Sequence, residues 1–276
     1  MRFESVAHTG AAKGTPIDSA RAGLVVFCPD MAPGDEADVV VVSADGRYIV
    51  ATPNADARRR ADSPVRVEPS CPVASICGGC DFQHIGISAQ RQFKREFVEY
   101  RLKRSAPVLP AIEECVASPA ALGYRHRIDL QVEAHAGDVS FGFMAKASND
   151  LVAINACPIA DPRIGERLAS LRAALRELAL GSGARFRIRV VADDTTGSVV
   201  ALPANEDERE THTWALMCES GGDAWRRIER VPEFSITGDG HELRYHPACF
   251  TQVNPGVNRL LTDAVLRAVA PRDGLA

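Results

Sequence analysis

A chain of 276 residues with 46% hydrophobic and 25% charged residues has the make-up of an ordinary soluble globular protein of one large domain or two. The low aromatic content of 6% disfavours an extended base-stacking platform, and a formal charge of −4 is unusual for a nucleic-acid binder. No apolar run approaches the roughly 20 residues of a membrane span, and no basic stretch followed by an apolar run opens the chain, so we expect a cytoplasmic protein without membrane contact.

The first 55 or so residues are predicted to form short strands separated by turns. β-Rich runs occur at Leu24–Phe27, Ala37–Val42 and Arg47–Ala51. Their spacing suits a small barrel or sandwich. Residues 54–70 have the composition of a linker, and the arginine triplet Arg58–Arg60 within it is either a phosphate contact or a solvated loop.

Three cysteines then follow within ten residues, Cys71, Cys77 and Cys80, in the spacing C-x5-C-x2-C. Thiolates two residues apart can bind one metal centre, and the glycine pair between them lets the backbone turn tightly. Eight cysteines without a secretory signal favour metal binding over disulfides. Cys157 is the best fourth-ligand candidate because a proline follows it, as in known cluster-binding runs. An iron–sulfur cluster and zinc both remain open, with the three-plus-one spacing slightly favouring iron–sulfur.

A helix is predicted over residues 89–104, where Phe93 and Phe97, and likewise Val98 and Leu102, stand four positions apart and give an apolar side. Basic residues outnumber acidic ones along it. The basic side is either a solvated helix face or a surface that faces RNA.

Alternation predicts a strand in Gly123–Val132, and further strands are expected at 138–144 and 151–155. A helix is predicted from about 163 to 180, because an aspartate–proline pair precedes it and a glycine follows it.

Arg185–Val191 alternates strictly, so three arginines face one way and three apolar residues the other. Residues 198–202 are a plausible partner strand, and 204–230 are expected to be a polar loop or insertion. A strand near Leu243–Tyr245 precedes a final amphipathic helix that begins at Pro255, with the preceding asparagine as its cap.

No segment supplies group-transfer chemistry by itself. The sequence contains no dinucleotide fingerprint, no phosphate-binding loop and no nucleophile beside an evident base. His84 and His126 are candidate ligands or bases, but each is more often a hydrogen-bonded structural histidine.

Five separate stretches together resemble the RNA uracil-5-methyltransferases, in particular the bacterial 23S rRNA type with an N-terminal TRAM domain and a [4Fe-4S] cluster. In chain order they are Cys71-x5-Cys77-Gly-Gly-Cys80-x2-Gln83-His84, Gln90-x3-Lys94, Gly123-Tyr124-Arg125-x-Arg127, Ala156-Cys157-Pro158 and Phe250-x-Gln252-Val253-Asn254. Their order makes the resemblance specific, and it spans nearly the whole chain.

The resemblance implies a multidomain α+β protein. Residues 1–70 would form an OB-like TRAM barrel with its linker, and residues 71–248 an α/β domain that binds the cluster and RNA. Residues 249–276 would begin a doubly wound methyltransferase domain that is largely missing, and residues 89–121 would pack on that catalytic domain.

The resemblance also assigns site residues in three groups: cluster ligands, a contact to S-adenosylmethionine (SAM), and contacts to RNA. They are, respectively, Cys71, Cys77, Cys80 and Cys157; Gln252; and Lys94, Arg125 and Arg127. The implied cofactors are the [4Fe-4S] cluster and SAM, and the implied partner is RNA, with 23S rRNA favoured and a monomeric protein expected.

One departure from the family matters more than the matches. No cysteine here stands in the family's nucleophile motif, and the glycine-rich cofactor loop and the proton-removing base have no counterpart, so no catalytic residue is assigned. We therefore expect a truncated member that does not methylate alone. The alternatives are a non-catalytic RNA-binding iron–sulfur or zinc module and a tRNA uracil-5-methyltransferase. A radical-SAM methylthiotransferase also pairs a TRAM domain with an iron–sulfur cluster. This alternative is disfavoured, because it would need a C-x3-C-x2-C run and the chain has C-x5-C-x2-C.

Overall fold

The computed structural model describes residues 1–17, 23–54, 61–106, 108, 110–178, 180–204, 214–238 and 241–269. They form two compact units, Met1–Ala117 and Ser118–Ala276. The predicted domain boundaries at residues 70 and 248 do not coincide with this division, which follows compactness alone, and they stay a prediction. The arginine triplet Arg58–Arg60 lies outside the described residues.

The first unit is built on a five-stranded sheet whose strands come from the β-rich start of the chain. They are β1 (Arg2–Val6), β2 (Ala12–Thr15), β3 (Val25–Cys28), β4 (Val39–Ala44) and β5 (Tyr48–Pro53). Their order is β1-β2-β3-β5-β4, with β3 and β5 parallel and the other pairs antiparallel. The strand-rich start is thus confirmed, whereas closure into an OB-like barrel stays a prediction.

A buried carboxylate organises the turns of this unit. Asp35 is fully buried and accepts hydrogen bonds from the backbone N–H groups of Ala32 (2.7 Å) and Ser63 (2.8 Å), and it forms an ion pair with Arg66. Burial alone would raise the pKa of Asp35, but the hydrogen bonds from Arg66 and these N–H groups hold it below its ordinary value. Residues 61–66, expected in a linker, therefore belong to the folded unit.

Helix α1 (Ile87–Lys103) lies close to its predicted position. Phe93 and Phe97 pack against buried residues of the first unit. Val98 and Leu102 do not share that contact and remain 49% and 40% exposed. The reason is geometric, since a helix turns about 100° per residue and five positions carry Val98 far around from Phe93.

The second unit contains a seven-stranded antiparallel sheet. Together with its helices, the sheet gives this unit a strand-rich, mixed α+β character. Its strands are β6 (Arg127–His135), β7 (Asp138–Met144), β8 (Leu151–Ala153), β9 (Arg185–Ala192), β10 (Val199–Pro203), β11 (Ala215–Cys218) and β12 (Trp225–Ile228). Their order is β12-β11-β10-β9-β6-β7-β8. As the alternation predicts, Phe186, Ile188 and Val190 of β9 are buried on one face.

The expectation of a loop over 204–230 is wrong for the part that the structure describes. β11 pairs with β10 in the interior of the sheet, and β12 forms its edge. Three of the four β11 residues are buried, so the strand lacks the alternation that marks a half-buried strand. Residues 205–213 lie outside the described residues.

The single helix expected from 163 to 180 is two, α2 (Pro162–Gly165) and α3 (Leu168–Glu177). Asp161 caps α2 by accepting a hydrogen bond from the backbone N–H of Arg163 at 2.9 Å. Between the helices Arg167 is buried, and its guanidinium donates to the Glu219 carbonyl at 3.2 Å. This long-range anchor lies where the helix breaks.

The sheet face opposite α3 is covered at one end by a hairpin of β13 (Phe234–Gly238) and β14 (His241–Tyr245). The final helix, α4 (Pro255–Val269), begins as predicted, since the side chain of Asn254 accepts a hydrogen bond from the backbone N–H of Val257 at 3.0 Å. None of its described residues is buried within the unit. Across the described ranges, no helix has the length and apolar character to cross a membrane.

Candidate functional site

The cysteine loop, residues 71–80, is a series of tight turns in the first unit. The backbone N–H of Cys77 donates to the Val73 carbonyl at 2.8 Å, and that of Gly79 donates to the Cys77 sulfur at 3.4 Å. Cys77 is buried, and Cys71 and Cys80 are half-buried. The turns bring one backbone donor, the Gly79 N–H, to the Cys77 sulfur, and such a contact stabilises a thiolate.

Neighbouring residues of the motif support this loop. The Gln83 side-chain oxygen accepts a hydrogen bond from the backbone N–H of Cys71 at 3.1 Å. The buried His84 ring lies 3.0 Å from the Met31 carbonyl, in the structural role that is commonest for histidine. The loop also lies against the β1–β2 turn, where a Cβ on Gly10 would stand 2.5 Å from the Cβ of Asp81.

The chemistry of the donor set fits a soft metal. All eight cysteines lie within the described residues, and none forms a disulfide. Burial, followed by the charges of nearby carboxylates, raises the pKa of Cys28 to about 12, so that thiol is inert. Among the described residues, no group of three or more His, Cys, Asp or Glu side chains is gathered in a metal-binding arrangement. Cys157 belongs to the second unit and stays a predicted ligand.

Lys94 is exposed on α1, as an RNA contact must be. A groove of about 480 Å³ runs along the same helix without Lys94 in its lining, and it is lined by Arg91, Arg95, Glu99 and Glu114 among others. The Arg91 guanidinium is fixed there by a hydrogen bond to the Cys115 carbonyl at 2.7 Å. The groove therefore offers both cationic and anionic groups.

Three of the motif stretches, far apart in the sequence, meet in the second unit. The Gly123 backbone N–H donates to the Pro158 carbonyl at 2.9 Å, and that of Arg125 donates to the Ile159 carbonyl at 2.8 Å. The next residue, His126, bonds to Val253 of the third stretch through its own N–H at 3.2 Å. We call this meeting of residues 123–127, 157–161 and 249–254 the motif junction.

His126 lies at the centre of the motif junction and is 2% exposed. Its Nδ1 is 3.1 Å from the Val253 carbonyl oxygen, and its Nε2 is 3.1 Å from the Thr251 hydroxyl. Burial lowers the pKa of His126, so the ring is neutral at physiological pH.

Two arginines fasten the third stretch to the sheet. Arg127 donates to the Cys249 carbonyl at 3.1 Å and places its guanidinium 5.6 Å from the Phe250 ring centroid. Arg189 forms two hydrogen bonds of 2.9 Å with the Asp129 carboxylate and donates to the Ala248 carbonyl at 2.6 Å. Three side chains, those of His126, Arg127 and Arg189, thus hold residues 248–253.

The predicted site residues at the junction differ in what their side chains can reach. Gln252 and Phe250 are exposed, Phe250 by 78%. Arg127 is buried and uses its guanidinium internally. Arg125 is half-buried, and its Nε is buried without a hydrogen-bond partner among the described residues. The RNA contacts assigned to both arginines stay predictions.

Sequence reasoning named His126 as a candidate ligand or base that is more often a hydrogen-bonded structural histidine, and the structure confirms the structural role. It missed that His126 and Arg189 organise the junction. The signal available was weak: His126 stands between two motif arginines, and Arg189 is one of three alternating arginines on β9. Their partners lie 125 and 127 residues away for His126 and 59 for the Arg189–Ala248 contact. Only the fold shows these contacts.

Comparison with known proteins identifies relatives over nearly the whole chain. The chain is 32% identical over 256 residues to a 23S rRNA (uracil(1939)-C(5))-methyltransferase RlmD of Edwardsiella ictaluri, and the match covers 88% of this chain and 57% of that protein. It is 30% identical over 290 residues to a protein of the same name from Chromohalobacter salexigens, covering 99% of this chain and 59% of the relative. The chain thus spans somewhat more than half the length of these relatives. No family model matches the chain.

The fold is also similar to that of a solved protein. The crystal structure of Pyrococcus abyssi tRNA (uracil-54, C5)-methyltransferase in complex with S-adenosyl-L-homocysteine matches with a TM-score of 0.64 at 19% identity. The match covers 99% of this chain and 66% of that one. This likeness shows a shared fold.

Proposed function

The chain belongs to the RNA (uracil-C5)-methyltransferase family, and from this premise we propose that it is the RNA-recognition and cluster portion of a SAM-dependent methyltransferase acting on 23S rRNA. The substrate is the one for which the two relatives are named, and these are 32% and 30% identical to the chain. We place the protein in the cytoplasm as a monomer.

The observation that carries the proposal is the motif junction. Gln252, which by resemblance contacts SAM, is exposed on a stretch whose backbone is hydrogen-bonded before it, at the Cys249 carbonyl, and after it, at the Val253 carbonyl. A side chain presented from a fixed backbone loses little entropy on binding a ligand. The junction therefore suits recognition of a cofactor.

For the metal, we propose that Cys71, Cys77, Cys80 and Cys157 hold a [4Fe-4S] cluster. The tight turns and the N–H donor to the Cys77 sulfur support this assignment, as does the absence of disulfides among the eight cysteines. Bound there, the cluster would fix the loop and supply a structural element for RNA recognition.

For RNA, we propose direct phosphate contacts from Lys94 and Arg125. Lys94 is exposed on α1, and the Arg125 side chain is half-buried at the motif junction. Arg127 serves the same surface by fixing Cys249 and Phe250, with any RNA contact of its own added to that role. Local cations of this kind offset the overall charge of −4.

We assign no catalytic residue to this chain, because none of its cysteines stands in the family's nucleophile motif. In the family reaction, a cysteine thiolate adds to C6 of the uracil and makes C5 nucleophilic. The residues described here bind and orient instead, and we expect no methyl transfer by the chain alone.

The test compares this chain with the product of its gene at natural length. We expect the gene product to transfer radiolabelled methyl groups from SAM to unmodified 23S rRNA, and the chain alone to bind that RNA without methylating it. Lys94→Glu should weaken binding and lower its salt dependence, whereas Arg227→Glu, the same charge change on the exposed edge strand β12, should not.

The outcomes separate the remaining functions. Methylation of tRNA in place of 23S rRNA would establish the tRNA alternative. RNA binding without methylation by the gene product would establish a non-catalytic RNA-binding module. Absence of RNA binding, with the Lys94 variant equal to its control, would overturn the proposal.

A further inference from the structure

The residues on either side of Gln252 are bound to one imidazole. Thr251 contributes its hydroxyl and Val253 its carbonyl oxygen, each 3.1 Å from a different nitrogen of His126. The same carbonyl also accepts the His126 backbone N–H at 3.2 Å. The buried His126 thus bonds to both neighbours of the exposed Gln252.

The partners determine where the ring proton lies. A carbonyl oxygen only accepts hydrogen bonds, so Nδ1 must carry the hydrogen that points to Val253. In a neutral ring Nε2 is then an acceptor, and the Thr251 hydroxyl donates to it. A protonated ring would carry hydrogens on both nitrogens, and the Thr251 bond would have to reverse.

The surroundings favour the neutral ring. His126 is 2% exposed, and burial is the main effect that lowers its pKa. Of the charged groups around it, Asp194 and Asp161 act in the opposite direction, and Arg127 acts in the same direction as burial. The acceptor state of Nε2 is therefore the one the site uses.

We propose that His126 is the positioning residue for Gln252: it holds the Thr251 side chain on one side and the Val253 backbone on the other, and so orients the exposed amide towards a polar group of the cofactor. This inference rests on the proposed function, in which Gln252 contacts SAM. His126 itself touches no substrate atom.

The test uses His126→Phe, which keeps a ring but loses both side-chain hydrogen bonds, and Thr251→Val, which loses one. In the gene product, each lost bond should raise the KM for SAM by about fivefold, with kcat changed less. Thr251→Ser retains the hydroxyl and should restore the wild-type KM. Hydrogen exchange of residues 249–254 in the present chain should rise in the same order.

The two readouts separate the two hypotheses. If Gln252→Ala leaves SAM affinity unchanged while His126→Phe still speeds exchange at 249–254, then His126 does hold this stretch but Gln252 does not contact SAM. If Gln252→Ala weakens SAM binding while Thr251→Val changes neither KM nor exchange, the positioning role is refuted. Because Thr251→Val keeps the buried histidine, that result does not depend on whether His126→Phe folds.

Discussion

The cysteine loop of the first unit and the motif junction of the second are both rich in motif residues, but they are organised in opposite ways. The loop is held by local contacts, with Cys71 bonded to Gln83 only 12 residues away. The junction is held by contacts such as those of His126, which span more than 120 residues. In the loop the side chains of interest are cysteines, whereas the junction is held by hydrogen-bonding side chains with partners, such as His126 and Arg127.

This difference shows what each of the two regions needs in order to form. Local turns fix a loop backbone but do not by themselves draw several thiols to one point, so the proposed cluster would supply the missing cross-links. The junction is fixed by buried hydrogen bonds and needs no ligand. Loss of metal should therefore loosen the cysteine loop and release Cys157, while the His126 hydrogen bonds still hold Thr251 and Val253.

The largest effect is expected from the cysteines. Anaerobically purified protein should be brown and hold about four irons per chain, and Cys71→Ser, Cys77→Ser or Cys157→Ser should abolish both colour and iron. Cys249→Ser and Cys115→Ser, which change thiols outside the ligand set, should leave both unchanged. Absorption spectra and iron analysis measure the result.

Different outcomes would change the comparison in different ways. A colourless protein with one zinc per chain would replace the cluster by zinc. If Cys157→Ser alone kept full iron content, the fourth ligand would not be Cys157. If no metal bound at all, the loop would be a structural element like the junction.

The next effect tests whether the first unit has a metal-independent framework. Asp35→Ala removes a buried carboxylate and leaves Arg66 unpaired, which should destabilise this unit by about 3 kcal/mol. Glu36→Ala is the matched control, because the Arg2–Glu36 pair is exposed and should contribute less than about 1 kcal/mol.

Both tryptophans, Trp214 and Trp225, lie in the second unit, so their fluorescence reports on that unit alone. Hydrogen exchange should detect the Asp35→Ala loss in residues 1–117, while the tryptophan unfolding transition stays in place. A shifted tryptophan transition would show that the units unfold together.

The two regions also differ in how far the sequence predicts them. Strict alternation identified β9, and four-residue spacing identified α1, since both elements have one buried and one exposed face. The sequence did not predict β11, because this strand lies between two others and is buried without alternation. The helix break at Arg167 was not predicted, because its anchor at the Glu219 carbonyl lies 52 residues away.

The same distinction applies to the sites. The cysteine spacing is a local pattern and can be read directly, as can the motif around Gln252. That the junction stretches meet, and that His126 joins them, depends on the pairing of β6 with β9 and on long-range contacts. No short-range pattern encodes those.

A smaller effect is expected at the junction from Arg127→Met, which keeps the aliphatic stem. It removes the hydrogen bond to Cys249 and the contact with Phe250, and it also relieves repulsion from Arg189. The net loss should be about 1–2 kcal/mol, measured by the urea transition of tryptophan fluorescence. Arg227→Met, on an exposed edge position, should change stability by less than about 0.5 kcal/mol. Equal effects of the two changes would mean that the junction contributes little.

The smallest effect is a pH dependence that separates the junction from the rest of its unit. Because the folded pKa of His126 lies below its ordinary value of 6.5, the unfolded chain binds the proton first as the pH falls. The stability that the neutral ring contributes is full above about pH 6.5 and is lost progressively below it, down to the folded pKa. The carboxylate of Asp161 does not titrate in this window. Burial raises its pKa, but the hydrogen bonds from Arg163 outweigh burial and hold the pKa below its ordinary value.

The tryptophan transition should therefore shift to lower urea between about pH 7.5 and about pH 5.5 in the wild type, and shift less in His126→Phe. Identical shifts would mean that another group titrates there and that the neutral imidazole does not hold the junction.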